Sequence, residues 1–237
     1  MTRPLIVAID GPAGAGKSTV SRELARRLGL PYLDTGALYR ALALALGQVP
    51  ELAGRIDGLV TVDDLSSEDR ARAGEIAGAL ALSFEEGGTR LRLDGRDVSV
   101  DIRRPEVGER ASRASAIPEV RAALLDLQRD LAARQGAVAE GRDMGSVVFP
   151  GADVKFFLTA DLTCRARRRG GDLAARGEPA PEYVVEREIA ARDQRDSSRA
   201  VAPLRQLPDA IAIDSTALDV GQVVERMLIE ISRRGSP

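Results

Sequence analysis

A glycine-rich stretch, DGPAGAGKSTVSREL at residues 10–24, joins an apolar run to a segment with helical spacing. Few features restrict a chain more. Gly11, Gly16, Lys17 and Ser18 fill the pattern G-x-x-x-x-G-K-S, in which a strand curls into a tight loop and passes straight into a helix. Glycines at 11, 14 and 16 let successive backbone N–H groups converge with no Cβ in the way. The helix opening near Lys17 adds free N–H groups and the positive end of its dipole. The loop is therefore expected to hold a nucleoside triphosphate on Gly11, Pro12, Ala13, Gly14, Ala15, Gly16, Lys17, Ser18 and Thr19. Lys17 would reach the β- and γ-phosphates and Ser18 would ligate Mg²⁺.

Lysine at position 17 carries weight because of what surrounds it in composition. Of 34 basic residues only Lys17 and Lys155 are lysine. Arginine is the default surface cation here, so a single arginine says little and only arginines placed by a motif count.

The remaining composition excludes several classes. A net charge of −2 gives no basic field for DNA or RNA. With no histidine there is no His-based metal site and no Ser/His triad. One cysteine, Cys164, rules out an intrachain disulfide and fits a reducing compartment. Arg3 precedes the apolar run LIVAI, but that run is too short for a signal peptide and is followed at once by Asp10 and the glycine turn. Nothing approaches the ~18 apolar residues that span a bilayer. A cytoplasmic monomer without membrane or nucleic-acid partners is expected.

Hydrophobic periodicity outlines the rest. LIVAID (5–10) reads as a strand buried on both faces, and Val20, Leu24 and Leu28 mark a helix from Ser18 that stops at Gly29. YLD gives a second short strand, and 36–47 a helix with Leu38, Leu42 and Leu46 on one face. Residues 66–79 are helical. From 80 to 100 the pattern alternates with period two, punctuated by Gly87-Gly88 and by Asp94-Gly95, a hairpin signal. A three-stranded antiparallel meander is expected there, as an insertion in an otherwise alternating α/β chain.

Beyond it, 118–135 predicts a helix with Val120, Leu124, Leu127 and Leu131 inward. AVAEG (137–141), VKFFLTA (154–160) and AIAID (210–214) read as three more buried strands, with a broken charged helical region over 161–199. A closing helix over 219–233 turns Val220, Val223, Val224, Met227 and Ile231 inward. The fold class is α/β: five parallel strands flanked by helices on both faces.

A triphosphate loop leaves the reaction open. A GTP switch needs a guanine-reading N-K-x-D, and neither lysine lies in one. A motor needs a strand ending in an acidic pair; Glu140 ends AVAEG, but Arg142 and Asp143 follow, an odd setting for a motor's base. A small kinase instead requires a second anion site built of arginines. DTGALYR sets Thr35 at a helix N-cap with Arg40 beyond it. GRDMGSVVFP places Arg142 and Asp143 just past a strand end, where open α/β sheets bind ligands. ARDQRDSSRAVAP spaces Arg192, Arg195 and Arg199 over about two turns.

These segments, with YLDTGALYRALAL, ASRASAIPEVRAALLDLQR, EGRDMGSVVFPGADVKFFLTA and RDQRDSSRAVAPL, resemble the bacterial cytidylate kinases along essentially the whole chain. The resemblance implies a P-loop NTPase fold with an antiparallel monophosphate-binding insertion and a lid. It implies one kinase domain over 1–237, with a core (1–39, 126–163, 187–237), a monophosphate-binding region (40–125) and a lid (164–186). It implies ATP and CMP or dCMP as substrates, with Mg²⁺. Catalytic roles then fall to Lys17, Arg142, Arg192 and Arg199. Thr35, Arg40, Arg142 and Arg199 would hold the acceptor phosphate, Thr35 standing where the family often has serine. Ser112, Arg121 and Asp143 would read cytosine; Arg192 and Asp196 would contact the sugar; Arg168 in the lid would meet the triphosphate. Asp143 can accept from the N4 amino group while hydroxyl and guanidinium donate to N3 and O2. Uracil reverses two of those polarities, and mispaired buried groups discriminate by roughly 10⁴. Aromatic residues make up only 3% of the chain, which favours hydrogen-bond readout over a stacking cage. Asp34 and Glu140 are both candidates for ordering water around the metal. An adenylate- or shikimate-type kinase, or an ATP-binding regulator without phosphotransfer, are the rival readings.

Overall fold

The computed structural model describes residues 4–85, 90–175 and 177–234; Arg3 and the Gly87-Gly88 turn lie outside the described residues. The chain forms two compact units, one comprising residues up to Tyr32 and from Gln135 onward, the other Leu33–Arg134. It opens with β1 (Ile6–Asp10), α1 (Lys17–Leu28) and β2 (Tyr32–Asp34). The second unit follows: α2 (Thr35–Leu46), α3 (Pro50–Asp57), α4 (Ser67–Ala79), β3 (Leu82–Glu85), β4 (Arg90–Leu93), β5 (Arg96–Asp97), α5 (Pro105–Ala114) and α6 (Pro118–Ala133). The chain then returns through β6 (Ala137–Gly141), β7 (Val154–Thr159), α7 (Leu162–Ala174), α8 (Glu182–Ser198), β8 (Ile211–Asp214) and α9 (Val220–Arg234).

The first unit is organised by a five-stranded sheet in the order β2-β6-β1-β7-β8. β1 runs parallel to β6 on one side and to β7 on the other, with Val7 opposite Val138 and Val154. A strand so enclosed buries both faces, and Val7, Ala8 and Ile9 are fully buried. α1 and α9 supply Val20, Leu24, Val223, Val224, Met227 and Ile231 to this core. Val220, expected inward, is 38% exposed because it is the first residue of α9, ahead of the apolar stripe. β8 is an edge strand and only Ile213 of its four residues is buried, so the expectation of five buried strands fails there, while β2, at the other edge, buries Tyr32 and Leu33. A second cluster joins Ala166 and Leu173 of α7 to Val185 and Ile189 of α8, with Ala13 of the glycine loop packed into it.

The second unit contains the expected meander, β3-β4-β5, all antiparallel. Asp94 and Gly95 have φ of 51° and 79°, the two positive values that a type I′ turn demands. Its core is helical: Leu42 and Leu46 of α2, Leu52 and Ile56 of α3, Ala73 and Ala77 of α4, and Val120 and Leu124 of α6. Periodicity assigns no helix to 50–57 or 105–114, and the structure has one in each. Both begin with proline at the first helical position, which presets φ where no N–H partner is needed.

α6 buries a different line from the expected one. Val120 and Leu124 continue through Gln128 and Ala132, while Leu127 and Leu131 are half-buried. Gln128 Nε2 donates to the Leu124 carbonyl at 2.9 Å, and its buried Oε1 has no donor. Replacing Gln128 with methionine keeps the shape and removes that carbonyl. We expect Gln128→Met to raise stability by about 1 kcal/mol, read as a higher urea midpoint at unchanged m-value.

Candidate active site

The loop after β1 takes its shape from glycine. Gly11 has φ 151°, and a Cβ there would lie 2.0 Å from the Leu158 carbonyl oxygen of β7. Gly14 and Gly16 follow at φ 75° and 86°, and Gly16 caps α1. The chain thus curls against the sheet and enters the helix with the N–H groups of its first turn unpaired by the helix itself. Lys17 Nζ closes the ring by donating to the carbonyls of Gly11 and Pro12, both at 2.8 Å. Burial pushes the Lys17 ammonium down to about 7, with repulsion from Arg142 next in size and Arg192 also contributing. Two arginines are therefore close enough to be felt at the floor of the loop.

Beside the loop, Ser18 Oγ donates to Glu140 Oε1 at 2.6 Å, and the Tyr32 hydroxyl donates to the same oxygen at 2.8 Å. Glu140 stands opposite Ile9 in the β1–β6 register, which brings the strand-end carboxylate to the loop. Ser18 and Glu140 offer oxygen atoms only, a donor set suited to a hard cation that keeps water and phosphate ligands. Arg168 lies on the other flank: Nη1 donates to Ser215 Oγ at 2.9 Å and Nη2 to the Ser215 carbonyl at 2.7 Å.

Asp10, the last residue of β1, does something the sequence did not announce. Its two carboxylate oxygens accept the N–H groups of Met144 and Gly145, each at 2.8 Å. These bonds hold a widened π-type turn over Met144–Val148, and with it the residues just before, Arg142 and Asp143. Burial pushes the Asp10 carboxyl up to about 6 against the pull of those two N–H bonds.

Arg142 Nε donates to Asp196 Oδ2 at 2.8 Å, and Arg199 Nη2 donates to Asp196 Oδ1 at 2.5 Å. Arg192 Nε stands 4.0 Å from the same carboxylate. Burial opposes ionisation of Asp196, but Arg142, Arg199 and Arg192 outweigh it and hold the carboxyl below its ordinary range. One carboxylate thus gathers three guanidiniums. Beyond α8 the chain returns over them, Ala202 adopting φ 53° and Leu204 N–H bonding the Asp196 carbonyl at 2.8 Å. Asp143 is buried next to Arg142.

The second unit holds the other expected residues. Thr35 is buried as the first residue of α2, and the N-cap is Asp34, which accepts from Ala37 N–H at 2.9 Å. The expected N-cap role of Thr35 is corrected accordingly. Arg40 Nη1 donates to the Ile102 carbonyl at 3.1 Å. Ser112 and Arg121 are drawn together through Ser115, whose hydroxyl bonds the Ser112 carbonyl and whose own carbonyl accepts from Arg121 Nη1. The Arg121 guanidinium also lies 5.9 Å from the centre of the Tyr39 ring.

The sequence profile described as cytidylate kinase matches residues 7–233. The chain belongs to the cytidylate kinase family. The cytidylate kinase of Symbiobacterium thermophilum is 47% identical over 227 residues, 96% of each chain. That of Pseudomonas savastanoi pv. phaseolicola is 46% identical over 97% of this chain and 96% of its own. In fold, an uncharacterized protein from Eubacterium ventriosum aligns at a TM-score of 0.53 and 13% identity, covering 98% of this chain and all of the other. This chain is accordingly an enzyme, a nucleoside monophosphate kinase with a P-loop fold. No helix among the described residues is long and apolar enough to cross a membrane.

Asp10 and Tyr32 border the glycine loop and its strand-end carboxylate although no motif named them. Only the position of Asp10, at a strand end directly before the glycine loop, gave any signal. Asp10→Ala leaves two buried N–H groups without an acceptor. It should cost about 2–4 kcal/mol in urea unfolding and raise the KM for the acceptor more than the KM for ATP.

Proposed function

We propose that the enzyme transfers the γ-phosphoryl group of ATP to the phosphate of CMP or dCMP, giving ADP and CDP or dCDP. The observation that carries this reading is the gathering of Arg142, Arg199 and Arg192 around the Asp196 carboxylate, near enough to the donor loop for Arg142 and Arg192 to repel the Lys17 ammonium. A triphosphate alone needs the loop and its lysine; a second set of cations gathered on Asp196 provides for a second anion.

In this reading the backbone of Gly11–Thr19 and the Lys17 ammonium hold the β- and γ-phosphates, with Arg168 on the triphosphate. Mg²⁺, ligated by Ser18 with Glu140 behind it, would neutralise phosphate charge when bound. Thr35, Arg40, Arg142 and Arg199 take the acceptor phosphate. Ser112, Arg121 and Asp143 recognise cytosine, and Arg192 with Asp196 the sugar. No protein nucleophile is required. A CMP phosphate oxygen forms the new bond to the γ-phosphorus as the bond to the ADP oxygen breaks. What the residues contribute is alignment of two polyanions and neutralisation of the charge that builds between them.

A coupled assay with CMP, UMP, AMP and shikimate as acceptors tests the reading; CMP should give the highest kcat/KM, and AMP above CMP would refute it. Asp143→Ala should erode the CMP over UMP preference while ATP binding persists, whereas Lys17→Ala should lower kcat with every acceptor.

The Lys17 titration adds a pH dependence. Burial, with repulsion from Arg142 behind it, pushes the Lys17 ammonium down to about 7, and a triphosphate favours its charged form. Binding therefore raises the pKa, so the affinity is complete below the free value and declines as pH rises above it. Between about pH 7.5 and 9, above the titration of phosphate itself, the ATP association constant should fall by about tenfold per unit, with matching proton uptake. Calorimetry in buffers of differing ionisation enthalpy reads both quantities.

A further inference from the structure

The crest of the phosphate loop is tied at one residue. Ala13 N–H donates to Asp193 Oδ1 at 3.0 Å, and the Ala13 carbonyl accepts from Arg165 Nη1 at 3.0 Å. Arg165 and Asp193 are themselves paired through Nη1 and Oδ2. Arg165 Nε is anchored on the Ala160 carbonyl, just past β7, at 3.0 Å. A Cβ on Gly14 would meet the Arg165 carbonyl oxygen and Cβ at 3.0 and 3.1 Å, so α7 lies directly on the loop. Both backbone groups of Ala13 are thus taken by side chains from two different helices that also grip each other.

Asp193 belongs to the same turn of α8 as Arg192 and Asp196, which gather the acceptor-side cations. From 193 to 196 is about 4.5 Å along the helix axis, and a packed helical turn moves as a body. A displacement of Asp196 or Arg192 therefore reaches the loop through Asp193. The choice of a carboxylate is otherwise costly here. Asp193 sets a negative charge against a loop built to receive phosphate, and a hydroxyl or amide could accept the same N–H without that repulsion. Pairing with Arg165 offsets the charge and adds a second attachment to the loop.

We propose that Asp193 is a positioning residue that links the phosphate loop to the arginine cluster, so that donor and acceptor strengthen each other's binding. Its role is to hold Ala13 and Arg165, with no contact to either nucleotide required. The inference rests on the phosphotransfer reading, since it requires two nucleotides on one enzyme.

The test is the coupling ratio: the Kd of CMP without ATP analogue divided by that with saturating β,γ-imido-ATP, by calorimetry. In the wild-type enzyme the ratio should be about 5 or more. Asp193→Ala should bring it to about 1 while the Kd of CMP alone stays within about threefold. Asp193→Asn retains an oxygen for Ala13 N–H and should keep most of the ratio. An Asp193→Ala ratio equal to wild type overturns the proposal, as does an Asn variant as uncoupled as the Ala variant. Should Asp193→Ala fail to fold, amide exchange on the wild-type enzyme decides. CMP alone should then slow exchange at Ala13 N–H severalfold, and an unchanged rate overturns the link. A wild-type enzyme that binds no CMP refutes the phosphotransfer reading itself, a different outcome from CMP binding without coupling.

Discussion

Crowding positive charge into a small, partly buried volume is unfavourable until an anion arrives, and the first unit is arranged around that difficulty. An ammonium and several guanidiniums must lie close together without driving the site apart. The structure answers with carboxylates placed between cations. Asp196 accepts from Arg142 and Arg199 with Arg192 nearby, and Asp193 pairs with Arg165. Where no carboxylate takes the charge directly, as at Lys17, the ammonium lies on two backbone carbonyls and part of the strain appears as a weakened hold on its proton. Preorganisation of this kind lets the site meet charge at the moment of transfer without rebuilding itself.

The same economy explains why several site elements are held by backbone rather than by side-chain pairs. Asp10 fixes the turn after β6 through two N–H groups, and Asp193 fixes the loop crest through one. A backbone donor has a set direction and no rotamers to order, so each bond positions a segment, not merely a side chain. The glycine at 11 belongs to this scheme too: it allows the loop to lie against β7, where α7 then covers it.

How legible this was in the sequence depended on the kind of interaction. Elements with strong periodicity were plain: the central strands, α1, α2, and the meander with its Asp94-Gly95 turn. α5 was hidden because its buried stripe, Val107, Ala111 and Ala114, is built of small residues and has no leucine or isoleucine to mark the helical spacing. In α6, Leu127 and Leu131 outweighed Gln128 in the pattern, yet the tertiary environment buries the glutamine line. Lys17, Ser18, Arg142 and Arg199 could be named from the sequence because motifs fix residue types. Asp10 and Asp193 were not, for a physical reason: what they position is main chain, the N–H groups of Met144, Gly145 and Ala13, which any residue but proline could supply, and the one side-chain partner, Arg165 for Asp193, is 28 positions away in sequence. An acceptor of backbone hydrogen bonds leaves no paired residue type in the sequence to betray it.

The near-absence of lysine has a practical side. The sequence contains two side-chain amines. One, Lys155, is engaged by Asp209 at 2.7 Å away from the loop. The other lies in the phosphate loop and loses its proton near neutrality, when an amine becomes a nucleophile toward acylating agents. A small uncharged acylating reagent would thus meet its most nucleophilic lysine in the phosphate loop, and nucleotide, by returning the proton to that amine, would protect it in proportion to how full the donor loop is.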